Sequence, residues 1–111
     1  MSTLYKILGQ LAPAITNEEV LYTVPANTWS EFYVYWCEDG NAAATFRISI
    51  SAAGGATASK DYILYDFACI AYGGDKIGPL FAQGGNVVRV YASTADMNFT
   101  ATGKEYIVTG A

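Results

Sequence analysis

Short runs of β-branched and aromatic residues recur along the chain, separated by Gly, Asn, Asp and Pro at intervals of about eight to twelve residues. The clearest is ATFRISIS (44–51), with Phe46, Ile48 and Ile50 on one face and Thr45, Arg47, Ser49 and Ser51 on the other. A period of two marks a half-buried strand, because successive side chains point to opposite faces. VVRVYA (87–92) likewise sets Val88, Val90 and Ala92 against Arg89. The same reading predicts strands over 20–24, 29–38, 61–69, 76–82, 97–103 and 105–109. Residues 3–11 read as a first strand or an extended arm, since Gly9 and Pro13 argue against a helix.

Turn chemistry sets the boundaries. Pro25-Ala26-Asn27 closes one strand, and Asp39-Gly40 is the strongest turn signal because it readily supplies positive φ. Pro79 has no backbone donor, which places its strand at a sheet edge or a bulge. No amphipathic helical period appears. The expected fold is all-β: one antiparallel two-sheet β-sandwich, jelly-roll-like, of about eight strands. Residues 1–111 form one domain, with 1–14 a possible N-terminal strand or arm.

The run 29–38 is unusual because both faces are apolar or aromatic. Phe32, Val34 and Trp36 lie on one, and Trp29, Tyr33, Tyr35 and Cys37 on the other. With the first set in the core, Trp29, Tyr33 and Tyr35 form an external aromatic patch. That patch is either covered by the arm at 3–11 or offered to a partner, and both hold if the arm belongs to a neighbouring subunit. Trp and Tyr are favoured interface anchors.

Composition narrows the function classes. Only 14% of residues are charged while 52% are hydrophobic, below the usual charged share of about 25%. A surface covered by a partner accounts for this, as does a surface solvated by Ser, Thr, Asn and Gly. The net charge is −4 and the six Lys and Arg residues form no stripe, so nucleic acid is not an expected partner. The first fifteen residues lack a basic start and an apolar stretch, so no secretory signal is expected. No run of eighteen apolar residues predicts a membrane span.

Chemistry is sparse. With no histidine there is no Ser-His-Asp or Cys-His pairing, and two cysteines cannot build the usual zinc site. Cys37 and Cys69 are expected as buried free thiols. The carboxylate pairs Glu18/Glu19, Glu38/Asp39 and Asp61/Asp66 are candidates by number alone. Asp66, inside an apolar strand, is expected on the solvent face or bonded to a turn. Asp39, Asn41 and Asp75 offer oxygen ligands, but no loop has the density of a calcium site. No catalytic residue, metal or cofactor is expected.

LYTVPANT (21–28), ATFRISIS (44–51) and YASTADMNFTATGKE (91–105) occur in an order that resembles small β-sandwich structural proteins in the virions of tailed bacteriophages, including cyanophages. The resemblance departs at 29–38, where a plainer Val/Leu/Ser strand is expected instead of Trp29, Tyr33, Tyr35 and Trp36. It implies a non-enzymatic virion protein made in the host bacterial cytoplasm, of capsid decoration (cement) type. Its partners would be major capsid protein subunits and further copies of itself, in a small homo-oligomer, a trimer. The expected contacts are Leu4, Tyr5, Ile7 and Leu8 of the arm and Trp29, Tyr33 and Tyr35 of the patch. The alternative implied is a tail or fibre component, or a receptor-binding module that stacks a glycan on Trp29 and Trp36.

Overall fold

The alternation of the sequence becomes an alternation of burial in the computed structural model, which describes residues 3–52 and 55–108. Among the described residues there are eight strands: β1 (Thr3–Leu11), β2 (Glu19–Thr23), β3 (Thr28–Glu38), β4 (Ala44–Ser51), β5 (Tyr62–Cys69), β6 (Gly74–Gln83), β7 (Val87–Ala92) and β8 (Met97–Ile107). They form two four-stranded sheets, ordered β1-β8-β3-β6 and β2-β7-β4-β5. Every pairing is antiparallel. Consecutive strands pass between the sheets at every step except β4 to β5, which are neighbours in one sheet, giving the strand order of a jelly roll.

Residues 29–38 carry their phase as expected. Phe32 and Val34 are fully buried and Trp36 nearly so. They meet Phe46 and Ile48 of β4, Val88 and Val90 of β7, and Phe99 and Ala101 of β8 in one core between the sheets. Phe46 sits at its centre, 4.6 Å from the Trp36 ring and 5.8 Å from Phe99, with Phe67 edge-on at 5.7 Å. Tilted and edge-on pairs are the arrangements that ring quadrupoles favour.

Three expectations need correction. Residues 97–103 and 105–109 are not two strands: β8 runs unbroken through Gly103 to Ile107, and residue 109 lies outside the described residues. Gly103 serves close approach, since a Cβ there would meet the Glu31 carbonyl oxygen and Phe32 Cα at 2.6 Å or less. The arm at 3–11 is a strand on the outer flank of β8, so it does not lie over β3. Cys69 is a buried free thiol, but Cys37 follows the odd-numbered phase of β3 and is exposed. Pro79 lies in edge strand β6, and the β3–β6 register shifts beside it, so both positions proposed for it apply.

A buried polar group crosses the core. The Tyr22 hydroxyl on β2 donates to Glu105 on β8 and meets Ser30 Oγ on β3 at 2.7 Å. Lys6 of β1 approaches the same carboxylate at 2.9 Å. Burial pushes the Glu105 carboxyl up, but the bonds from Tyr22 and Lys6 outweigh it and hold the group below its ordinary value. The network joins the two sheets and pins β1 to the sandwich.

Candidate interaction surface

β3 is an inner strand of its sheet, with β8 on one side and β6 on the other. Its odd-numbered side chains therefore form the middle of that sheet's outer face. Register sets their neighbours: Trp29 stands opposite Tyr106, Glu31 opposite Lys104, Tyr33 opposite Thr102 and Tyr35 opposite Thr100. On the far side of β8, Tyr5 is opposite Lys104 and Ile7 opposite Thr102. On β6, Phe81 is opposite Glu31 and Lys76 opposite Tyr35.

The result is a broad aromatic face with cations set into it. Trp29 stacks on Tyr106 at 4.1 Å with the planes 16° apart, leaving Trp29 40% exposed. Tyr5 is 79% exposed, Phe81 64%, and Ile7 and Tyr35 are also open to solvent. Lys76 sits over the Tyr33 and Tyr35 rings at 5.4 and 5.7 Å. Lys104 lies between Tyr5 and Tyr106 at 5.4 and 5.3 Å, with Glu31 at 3.5 Å. Its bond to Tyr106, helped by Tyr5 and by the Glu31 charge against an opposing effect of burial, raises its pKa. These cation–π contacts hold long side chains flat against the rings.

A shallow groove of about 460 Å³ crosses this face, lined by side chains of Tyr5, Ile7, Glu31, Tyr33, Thr102 and Lys104. It unites arm and strand residues that were predicted separately. Tyr5, Ile7, Trp29, Tyr33 and Tyr35 share the face. Leu8 does not: it turns inward and packs against the core. Leu4 is described only as the backbone partner of Glu105, and its side chain lies outside what is described. Trp36 is buried in the core, so it has no free ring to offer a sugar. Phe81, Tyr106, Lys76 and Lys104 join the face without having been predicted. The only sequence signal for them was an aromatic residue in each of two runs whose phase against β3 depends on pairing.

The carboxylates are engaged elsewhere. Asp66 is exposed and binds Arg47 at 2.7 Å, while Arg47 lies 4.2 Å from both the Tyr65 and Tyr91 rings. Glu38, fully buried, accepts from the Gly40 amide and the Thr94 hydroxyl. Asp61 accepts from the Ala58 amide and Lys60, and Glu19 from the Ala14 amide and Asn17. Among the described residues no group of three His, Cys, Asp or Glu side chains could hold a metal ion, and no helix is long and apolar enough to cross a membrane. Compared with protein-family models, curated proteins and solved structures, the chain matches none.

Proposed function

We propose that this chain is a non-enzymatic structural protein of a tailed-phage virion, a capsid decoration protein that binds major capsid subunits through the outer face of the β1-β8-β3-β6 sheet. The observation that carries the reading is that face. Tyr5, Ile7, Trp29, Tyr35 and Phe81 stand exposed together on a rigid sheet. Large, stiff aromatic side chains bind at low entropic cost, and exposed apolar patches of this kind mark interaction sites. The ordered phrases at 21–28, 44–51 and 91–105 support the virion setting. A jelly roll alone assigns no activity. Many modest contacts over a shell add up to firm attachment, and a net charge of −4 suits a protein kept apart from packaged DNA. The protein acts there as a small homo-oligomer.

The groove favours one further reading, a glycan-binding module of a tail or fibre. Two tyrosine rings beside the Glu31 carboxylate and the Lys104 ammonium supply stacking and hydrogen bonds for a sugar. Electron cryomicroscopy of the encoding particle, with copy number by quantitative mass spectrometry, separates the two. Hundreds of copies at regular shell positions are expected. A handful at the tail moves the assignment to the glycan reading, and absence from the particle overturns both.

A further inference from the structure

Whatever covers the outer face of the β1-β8-β3-β6 sheet takes its charges out of water along with its rings. The carboxylates on these strands are Glu31, Glu38, Asp75 and Glu105. Register puts Glu38 opposite Met97, Asp75 opposite Trp36 and Glu105 opposite Ser30, all on the inward phase, so Glu31 alone projects outward. The ammonium groups of Lys76 and Lys104 project with it. Asp39, just past the end of β3, is taken by the Asn98 amide at 3.0 Å. The outward side chains of this sheet are thus cationic on balance, although the whole chain carries a net charge of −4.

The two cations differ. Lys104 has Glu31 at 3.5 Å. Among the described residues Lys76 has no carboxylate within 4.0 Å. Its sequence neighbour Asp75 accepts from the Lys76 backbone amide instead, at 2.8 Å. The remaining cations have oxygen partners: Lys6 meets Glu105, Arg47 meets Asp66, Lys60 meets Asp61, and Arg89 donates to Ser51 Oγ and the Gly55 carbonyl. The Lys76 ammonium lies over Tyr33 and Tyr35, two of the rings assigned to docking. That contact keeps the charge on the aromatic patch.

A partner that covers Tyr33 and Tyr35 therefore covers Lys76. An ammonium taken out of water without a counter-charge is strongly unfavourable, and two ring contacts offset only part of that loss. We infer that the partner sets a carboxylate of its own, from an Asp or Glu side chain flanked by apolar residues, against the Lys76 ammonium. The apolar flanks meet Trp29, Tyr35 and Phe81, which stand exposed on the same face. Lys104 needs no such group, because Glu31 already neutralises it. An apolar surface without an acid at this point leaves Lys76 buried and unpaired, and one with Lys or Arg there is repelled, so the same charge that selects one partner rejects others. The inference rests on this face being the docking face and adds what the face selects: a protein surface that is apolar and locally acidic.

The test is zero-length cross-linking on the assembled particle. A water-soluble carbodiimide activates a carboxylate, and an amine touching it displaces the activating group as a urea and forms an amide. Peptide mass spectrometry should find Lys76 joined to an Asp or Glu of the major capsid subunit. Binding to particles that lack the chain gives a second readout. Lys76→Gln should weaken it about 30-fold or more and flatten its dependence on salt. Lys76 is exposed, so this variant keeps its fold. Lys60→Gln makes the same charge change at a side chain 78% exposed elsewhere and should alter binding by about twofold at most. The inference is overturned if Lys76 is left unjoined or joined only to copies of this chain. It is equally overturned if Lys76→Gln binds fully while replacement of Trp29, Tyr33 and Tyr35 by Ser abolishes binding, and both results leave the docking face standing. Absence from the particle, or binding that survives the serine replacements, removes the docking face and the inference with it.

Discussion

Tyr22 shows how one residue decides whether a buried charge is tolerable. Its hydroxyl serves both Glu105 and Ser30, and burial, then the Glu105 carboxylate, pushes its own pKa up. Tyr22→Phe strands two buried partners, which costs about 1–3 kcal/mol on urea unfolding. Glu105 adds a pH dependence of definite sign. Its folded pKa lies below the unfolded value, so its stabilisation is fully present above the ordinary glutamate pKa of about 4.3. It is lost as pH falls through the folded value. Glu105→Gln should therefore flatten the acid limb of a stability–pH curve below about pH 4.5, relative to the unsubstituted chain. Phe46 is the apolar counterpart. It is fully buried among Trp36, Phe67 and Phe99. Phe46→Ala should cost about 3–5 kcal/mol, read as a lowered Tm.

Among the elements, β8 depends on its smallest residue. Gly103→Ala forces a Cβ to 2.2 Å from the Glu31 carbonyl oxygen, a contact that only backbone movement relieves. The expected loss is about 2 kcal/mol or more, with accelerated amide exchange along both β3 and β8. The same glycine marks where the sequence misleads. Read locally it ends a strand; in the fold it lets two strands touch, and nothing in TATGKE distinguishes the cases. Faces were legible along β3 and β7, which bury the side chains that their period selects; β4 follows its period only through Ile48, after which Ser49 and Ser51 are buried and Ile50 is only partly so. Pairing was not legible. Trp29, Tyr33 and Tyr35 could be assigned outward from β3 alone, but Tyr106, Phe81 and Lys104 reach them through register across other strands. Leu8 is grouped with Tyr5 and Ile7 as one arm by sequence, but strand alternation already sets it on the opposite face from both.

For the whole molecule, the outer face and the core are separable. Trp29, Tyr33 and Tyr35 point away from Phe32, Val34 and Trp36, so replacing all three by Ser should preserve the sandwich and weaken shell binding by about 100-fold or more. Unchanged occupancy on particles would contradict the proposed face.

The strand order also governs when the chain can fold. β8 occupies the gap between β1 and β3, although it follows both by many residues. Until residues 97–107 have left the ribosome, β1 has no partner in its sheet and β3 lacks one of its two. Synthesis therefore cannot be matched by stepwise folding. The emerging chain waits with its future core in water, and the sandwich assembles by insertion into the middle rather than addition at a rim. Ribosome-bound chains that expose residues only up to 96 should be cut freely by a protease, and those that expose residue 107 should resist it.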